Sequence, residues 1–534
     1  MSSPQSAETH ENKRIAKRAS LVALGTLGSR ILGAGRDAVI AASFTTAVTD
    51  LFWLAFTIPN AFRVLLGEGA VSGAFVPVYI DAREKEGAAR AKRVLPQIAG
   101  VLTLLLILVV ILGVVFAEPL VTLYGSGLRE RGDDFALAVG LTRGVFPYIL
   151  LAGLAALATG ALNAHGRFGF PAFAPAFLNL GLILAPFLFV GFVVDLGYPA
   201  IFALVVGALI GGVFQLGVQL PAARREGIPI LPSLPRFGEL DPYTKKAFKL
   251  LLPLLIALGV YQLNVALSRT IASHQPSAIS YLYYGQRLVE IPQGMFAMAI
   301  ASATLPSLSQ AIARGEHEVA KEYFRGSLRM ALFVSLPASA ALIALAEPTV
   351  AMIFGRGAFD AVAIRETSRS LLFQAAGIWA VASLRTVVPL FHAMNDTRTP
   401  VIASALNLAA FLSFALFLFP SLGHVGLAIA ISVASTVQLG VLLVLLRGRV
   451  GSLGFTSLIR PVLAMSLAAL LAGGVMAFIA SFGEFERGGN HLDNLLIFLA
   501  AGLSGVLVYL GAAALLGLEE LRSLIRKFSA KLSR

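Results

Sequence analysis

The chain has no cysteine among its 534 residues. That excludes disulfides, thiolate metal sites and a cysteine nucleophile, and leaves the compartment open. Charge is scarce too: Asp, Glu, Lys and Arg make up 13% of the sequence, against about 25% in soluble proteins. Catalytic signatures are missing. There is no HExxH, no GxxxxGK[ST] and no clustered aspartate motif for metal–pyrophosphate chemistry. The seven histidines, His10, His165, His274, His317, His392, His424 and His491, are scattered. Without a nucleotide site an ATP-driven pump is disfavoured, and without acid/base or metal residues so is an enzyme. Alternating β-barrel patterning is also absent.

What is present is apolar: 57% hydrophobic residues and a mean hydropathy of +0.82. The apolar runs are long enough to cross a bilayer as helices. The sequence therefore reads as an all-α polytopic membrane protein. Trimmed by charges, glycines and prolines, the runs give spans at 21–43, 50–78, 95–117, 136–162, 170–193, 198–220, 248–272, 279–310, 327–346, 364–392, 400–419, 423–446, 458–482 and 492–517, 14 in all. The N-terminal Lys13, Arg14, Lys17 and Arg18 imitate a signal-peptide n-region, but the run continues past Arg30, so it reads as an uncleaved first span.

An even count puts both termini on one face. Basic residues gather on that face: in the tail 1–20, in 83–93, in 224–249, in 314–329 and after Gly517. The positive-inside rule makes it cytoplasmic. The net charge of +13 is thereby explained by loops, with no nucleic acid required.

The chain also repeats itself. AEPLVTLYGSG at 117–127 returns as AEPTVAMIFGRG at 346–357, FVPVY at 75–79 as LPSLS at 305–309, and FAPAFLNL at 173–180 as VIASALNL at 401–408. Each copy holds six spans, so both enter from the same side, a parallel repeat typical of transporters with the site between halves. The expected organisation is an N-lobe at 21–221, a cytoplasmic linker at 222–247, a C-lobe at 248–447, spans 13–14 at 455–517 and an amphipathic cytoplasmic tail at 518–534.

Charges interrupt these apolar helices. Spans 1 and 2 carry Arg30, Arg36, Asp37, Asp50, Arg63 and Glu68. A charge at the centre of a lipid-facing helix costs about 2.5–3.5 kcal/mol, so three arginines would cost on the order of 8–10 kcal/mol. A wet cavity removes that cost. Asp50 also reads as a helix N-cap, and Arg36–Asp37 as a helix break that satisfies backbone. Glycines at 25, 28, 33 and 35 would let the first span bend, and Pro59–Asn60 would interrupt the second just before Arg63. In span 8, Tyr283, Arg287 and Glu290 fall on one stripe, either as an intrahelical ion pair or as a lumen-facing arginine. Arg143, Arg269 and Arg385 lie in spans 4, 7 and 10. Several guanidinium groups around water suit a phosphate-bearing anion, which they bind in a bidentate fork. A cation transporter would line its path with acids instead.

SRILGAGRD (29–37), TDLFWLAFTIPNAFRVLLGEGAVSGAFVPVY (49–79), FPYILLAGLAALATGALNAHGRFGFPAFAPAFLNL (146–180) and YYGQRLVEIPQGMFAMAIASATLPSLS (283–309) resemble the MurJ (MviN) family of lipid II flippases. That family sits within the multidrug/oligosaccharidyl-lipid/polysaccharide exporter group. The resemblance implies two six-helix lobes and a groove from spans 13 and 14 for a polyprenyl tail. It implies transport of lipid II, the lipid-linked peptidoglycan precursor, between the leaflets of the bacterial inner membrane. Its cavity arginines match Arg30, Arg36, Arg63 and Arg287, and its acidic positions match Asp50 and Glu68; Asp37 and Glu290 are further candidate acids. The expected partners are lipid II and membrane lipids. No cofactor is implied, and sodium, protons or the membrane potential could each drive transport. Some members bind sodium between spans 7 and 11; Arg269 and Asn407 do not spell out such a site here. The alternatives are a polysaccharide-lipid flippase or a cation-coupled drug exporter of the same group.

Overall fold

The computed structural model describes residues 25, 27–65, 70–233, 240–451, 454 and 456–532. These fall into two compact units, Met1–His274 and Gln275–Arg534, and among the described residues every regular element is a helix.

The first unit holds α1 (27–43), α2 (Thr46–Arg63), α3 (Ala70–Glu86), α4 (Ala88–Val115), α5 (Ala117–Tyr124), α6 (Gly132–Val145), α7 (Tyr148–Ala164), α8 (Gly169–Leu188), α9 (Val190–Asp195), α10 (Phe202–Gly217), α11 (Gln219–Arg225) and α12 (Pro242–Ala272). The second holds α13 (Ala278–Ala313), α14 (His317–Ala344), α15 (Ala346–Phe354), α16 (Ala361–Ala375), α17 (Ile378–Ala393), α18 (Arg398–Leu422), α19 (His424–Val450), α20 (Thr456–Ala480), α21 (Leu492–Leu515) and α22 (Glu519–Leu532).

Where they are described, the fourteen expected spans fall mostly on helical backbone, with breaks inside several of them. Among the described residues, nine helical stretches are long and apolar enough to cross a membrane, and the α16–α17 pair, bent by 40°, makes a tenth. The helices left over are α1, α2–α3, α12 and α13, which include those that carry the candidate charges.

The repeated sequence builds repeated structure. Both AEP motifs open a short helix, α5 and α15, after a one-residue break at Phe116 and Leu345. Both fourth spans of a copy are broken, α6 from α7 and α16 from α17. The left-handed backbone positions Gly166 and Asn395 hold the same place in the two copies, just before α8 and α18. The following turn is then tied to the end of the copy's sixth span by an ion pair. In the first unit it is Arg167–Glu226 at 2.9 Å; in the second it is Asp396–Arg449, with the charges exchanged. Close packing repeats as well, α8 on α10 and α18 on α19. The first pair touches through backbone: a Cβ added to Gly181 would lie 2.3 Å from the Gly207 carbonyl oxygen.

Three details depart from the sequence reading. Pro59 does not interrupt span 2; it lies buried inside α2, which continues through Arg63 into a wider, π-type turn at 64–65. The 50–78 stretch is described as α2 and α3 on either side of residues 66–69, and Glu68 lies outside the described residues. Helix also enters the linker 222–247 from both ends, since α11 reaches Arg225 and Asp241 caps α12 by accepting from the Tyr243 N–H at 2.9 Å. Finally, the sequence repeat puts α12 at the head of the second copy, yet it packs in the first unit against α3. Ion pairs Lys246–Asp81 at 2.9 Å and Arg90–Asp241 at 2.7 Å hold its first turns there, and the Tyr243 hydroxyl donates to Glu86 at 2.8 Å.

Spans 13 and 14 join the second unit. Met465 and Ala468 of α20 and Tyr509 of α21 share a core with Phe324, Phe333 and Phe391. The Tyr509 hydroxyl donates to the Phe333 carbonyl at 2.6 Å. Outward, Leu503 (66%) and Leu507 (70%) are exposed, as expected of a surface meeting lipid.

Asp396 yields a pH prediction. Hydrogen bonds from Thr399, helped by the Arg449 charge and the Arg398 N–H, hold its carboxyl below the ordinary aspartate range. A depressed carboxyl adds stability that is complete above its unfolded value, about pH 4, and is lost as pH falls through the lower folded value. The melting midpoint of the purified protein should therefore fall with acid over that window, and Asp396→Asn should lower the midpoint at neutral pH and flatten this part of the profile.

Candidate functional site

The candidate residues separate into three clusters, two in the first unit and one in the second.

The first is built on α1, which runs through 36–37 without a break. Arg36 and Asp37 are buried, at 6% and 1% exposure. Two guanidinium nitrogens of Arg36 donate to one carboxylate oxygen, Oδ1 of Asp37, at 2.6 and 2.8 Å. Nη1 donates to Asn179 Oδ1 on α8 at 3.1 Å, and Asn179 in turn donates to the Ser29 carbonyl at 3.0 Å. The Trp53 ring lies 5.7 Å from the guanidinium carbon. The helix-break reading of Arg36–Asp37 therefore gives way to a paired buried charge, cross-linked to α8. Asn179 was not among the expected site residues, although it stands in the repeated FAPAFLNL segment. Arg30, six positions earlier on α1, is exposed, so the two arginines have different surroundings.

Asp50 is fully buried on α2. It is not the N-cap, because that position belongs to Thr45.

The second cluster closes α2. Arg63 is half-buried, and its Nε donates to Asn60 Oδ1 at 2.9 Å. Three-residue spacing puts the two side chains on one face, as the sequence implied.

The third lies on α13. Arg287 Nη1 pairs with Glu290 Oε2 at 2.7 Å, while Nη2 donates to the Tyr283 hydroxyl at 3.1 Å. The guanidinium carbon stands 4.9 Å from the Tyr283 ring. The side chains of Arg287 and Glu290 are 38% and 46% exposed, so the pair is hydrated and weak, worth about 0–1 kcal/mol. Such a pair yields readily to a stronger anion. Arg385 of α17 donates to the Gln293 carbonyl on α13 at 3.0 Å. Arg143 is exposed at the end of α6, and Arg269 is half-buried in the last turn of α12.

A family model described as lipid II flippase MurJ matches residues 40–488. The chain belongs to the MurJ family. A probable lipid II flippase MurJ of Bdellovibrio bacteriovorus is 33% identical over 99% of this chain and 100% of its own. A lipid II flippase MurJ of Burkholderia cenocepacia is 32% identical over 94% and 98%. Among solved structures, a lipid II flippase MurJ in an inward closed conformation superimposes with a TM-score of 0.76 at 25% identity, covering 95% of this chain and 99% of that one. An inward-facing multidrug resistance transporter of the MATE family, at 18% identity and a TM-score of 0.62 over 82% of this chain and 99% of that one, shares the fold alone. The MurJ assignment makes this a multi-pass membrane protein of a flippase family.

Removing Asp37 alone should take the paired carboxylate away from a buried guanidinium. Asp37→Ala should destabilise the purified protein by about 3–5 kcal/mol. Replacing both partners with leucine should restore much of that stability without restoring transport, a comparison read from denaturation midpoints and complementation together.

Proposed function

We propose that the protein carries lipid II from the inner to the outer leaflet of the bacterial cytoplasmic membrane for cell-wall synthesis. The observation that carries this reading is the presence of paired, hydrogen-bonded arginines within apolar helices of a MurJ-family chain. Arg30, Arg36, Arg63 and Arg287 bind the pyrophosphate. Guanidinium keeps its charge at any physiological pH and matches phosphate oxygens two at a time. Asp37 and Glu290 hold Arg36 and Arg287 while no substrate is bound, and the incoming pyrophosphate competes with them. Asp50 and Glu68 supply further acids along the path.

Transport proceeds by alternating access, with no covalent step. Only the polar head group needs a wet route, because the polyprenyl chain is stable in lipid throughout. Spans 13 and 14 offer the exposed apolar surface along which that chain travels. Both termini lie in the cytoplasm, as the loop charges require. Sodium, protons or the membrane potential resets the cycle.

Alanine at 30, 36, 63 or 287 should abolish rescue of a strain depleted of its own flippase, with normal insertion of each variant. Lipid II should then remain inaccessible to outer-leaflet probes. Full complementation by all four variants would overturn the assignment.

A further inference from the structure

The helix that follows the last span has a fixed beginning and a basic continuation. Glu519 and Glu520 of α22 both pair with Arg329 of α14, and Glu520 is buried. Leu518 is buried beside them, and Leu521 and Leu524 pack on the core of the second unit. The next turn is different. Ile525 is 58% exposed, and Arg522 and Arg526, one turn apart, are exposed as well. Beyond Glu520 every charged residue is basic: the sequence continues through Lys527 and Lys531 to Arg534. Helical spacing sets positions 521, 524, 525, 528 and 532 on one apolar stripe with the basic positions beside and opposite it.

The position of this helix identifies its surroundings. The preceding α21 exposes leucines along its length to Leu515, which is 90% exposed. That apolar surface ends within a few residues of Glu519, so α22 begins where hydrocarbon gives way to head groups. An amphipathic helix at this level, with an exposed isoleucine and charges of one sign, is complementary to an anionic bilayer surface.

We propose that α22 is a docking helix for anionic phospholipid, with Arg522 and Arg526 on head-group phosphates and Ile525 in the acyl boundary, the basic sequence that follows adding to the attraction. The Arg329 pairs are its hinge. The hinge sits on α14, which packs against α13, the helix of Arg287.

The test uses the full-length chain, whose lack of cysteine lets Ser529→Cys carry a single environment-sensitive dye. The labelled protein is placed in nanodiscs of phosphatidylcholine, or of phosphatidylcholine with phosphatidylglycerol, each containing a head-group-depth quencher lipid. Quenching should be several-fold stronger with phosphatidylglycerol and should reverse in high salt. Glutamine at 522, 526, 527 and 531 should remove it, at roughly fivefold in the bound-to-free ratio per basic residue. Equal, salt-insensitive quenching in both compositions would overturn the proposal, as would quenching unchanged by removing the four charges. The salt titration of the otherwise unaltered chain stands even if the fourfold variant folds poorly.

Discussion

A guanidinium group cannot rest in hydrocarbon without a partner or water, and the rest of this molecule answers to that constraint. Arg36 takes the first solution. Its charge is neutralised by the next residue along α1, and its Nη1 reaches another helix through Asn179. Arg287 takes the second: its acid partner is close but exposed, so the pair remains open to exchange. These differ in strength as well as geometry. A pair at about one-twentieth exposure resists separation, since either charge left alone would be stranded, whereas a hydrated pair separates at little cost. In the proposed cycle the incoming pyrophosphate would therefore exchange with Glu290 at less cost than with Asp37.

Duplication supplies the frame. Each copy turns out of its broken fourth span through a left-handed residue, Gly166 or Asn395, and anchors that turn with an ion pair. The pair recurs with its charges exchanged, Arg167–Glu226 in one copy and Asp396–Arg449 in the other, so the two copies keep an attraction at this turn and not its polarity. Exchange is also easy to understand physically, because both pairs lie at helix ends where solvent tempers the penalty for either sign. The copies are less alike in what they bury: only the second recruits two further spans, through the core around Met465 and Tyr509.

Much of this was legible in the residues. Apolar length located the spans, and AEP recurring from Ala117 to Ala346 announced the duplication. Helical spacing paired Arg63 with Asn60, and Arg287 with Tyr283 and Glu290. Other features depend on distant chain and left no local trace. Nothing near Arg36 in sequence points to Asn179, which lies 143 residues on in the same unit. Pro59 reads as a break by its missing N–H, yet burial against neighbouring helices carries α2 through it. Asp50 has the look of a cap, but the N-cap of α2 lies five residues earlier, at Thr45. The attachment of α12 to the first unit follows from Asp81, Glu86 and Arg90, contacts that a repeat boundary cannot reveal.

Water at the arginines is the central claim, and a cysteine-free chain allows it to be measured directly. Single cysteines at Asn60, Tyr283 and the lipid-facing Leu503 would be exposed to a charged, membrane-impermeant thiol reagent. The account predicts labelling at 60 and 283, slowed by added lipid II, with position 503 inert. Cysteines at 60 and 283 as unreactive as the one at 503 would contradict it.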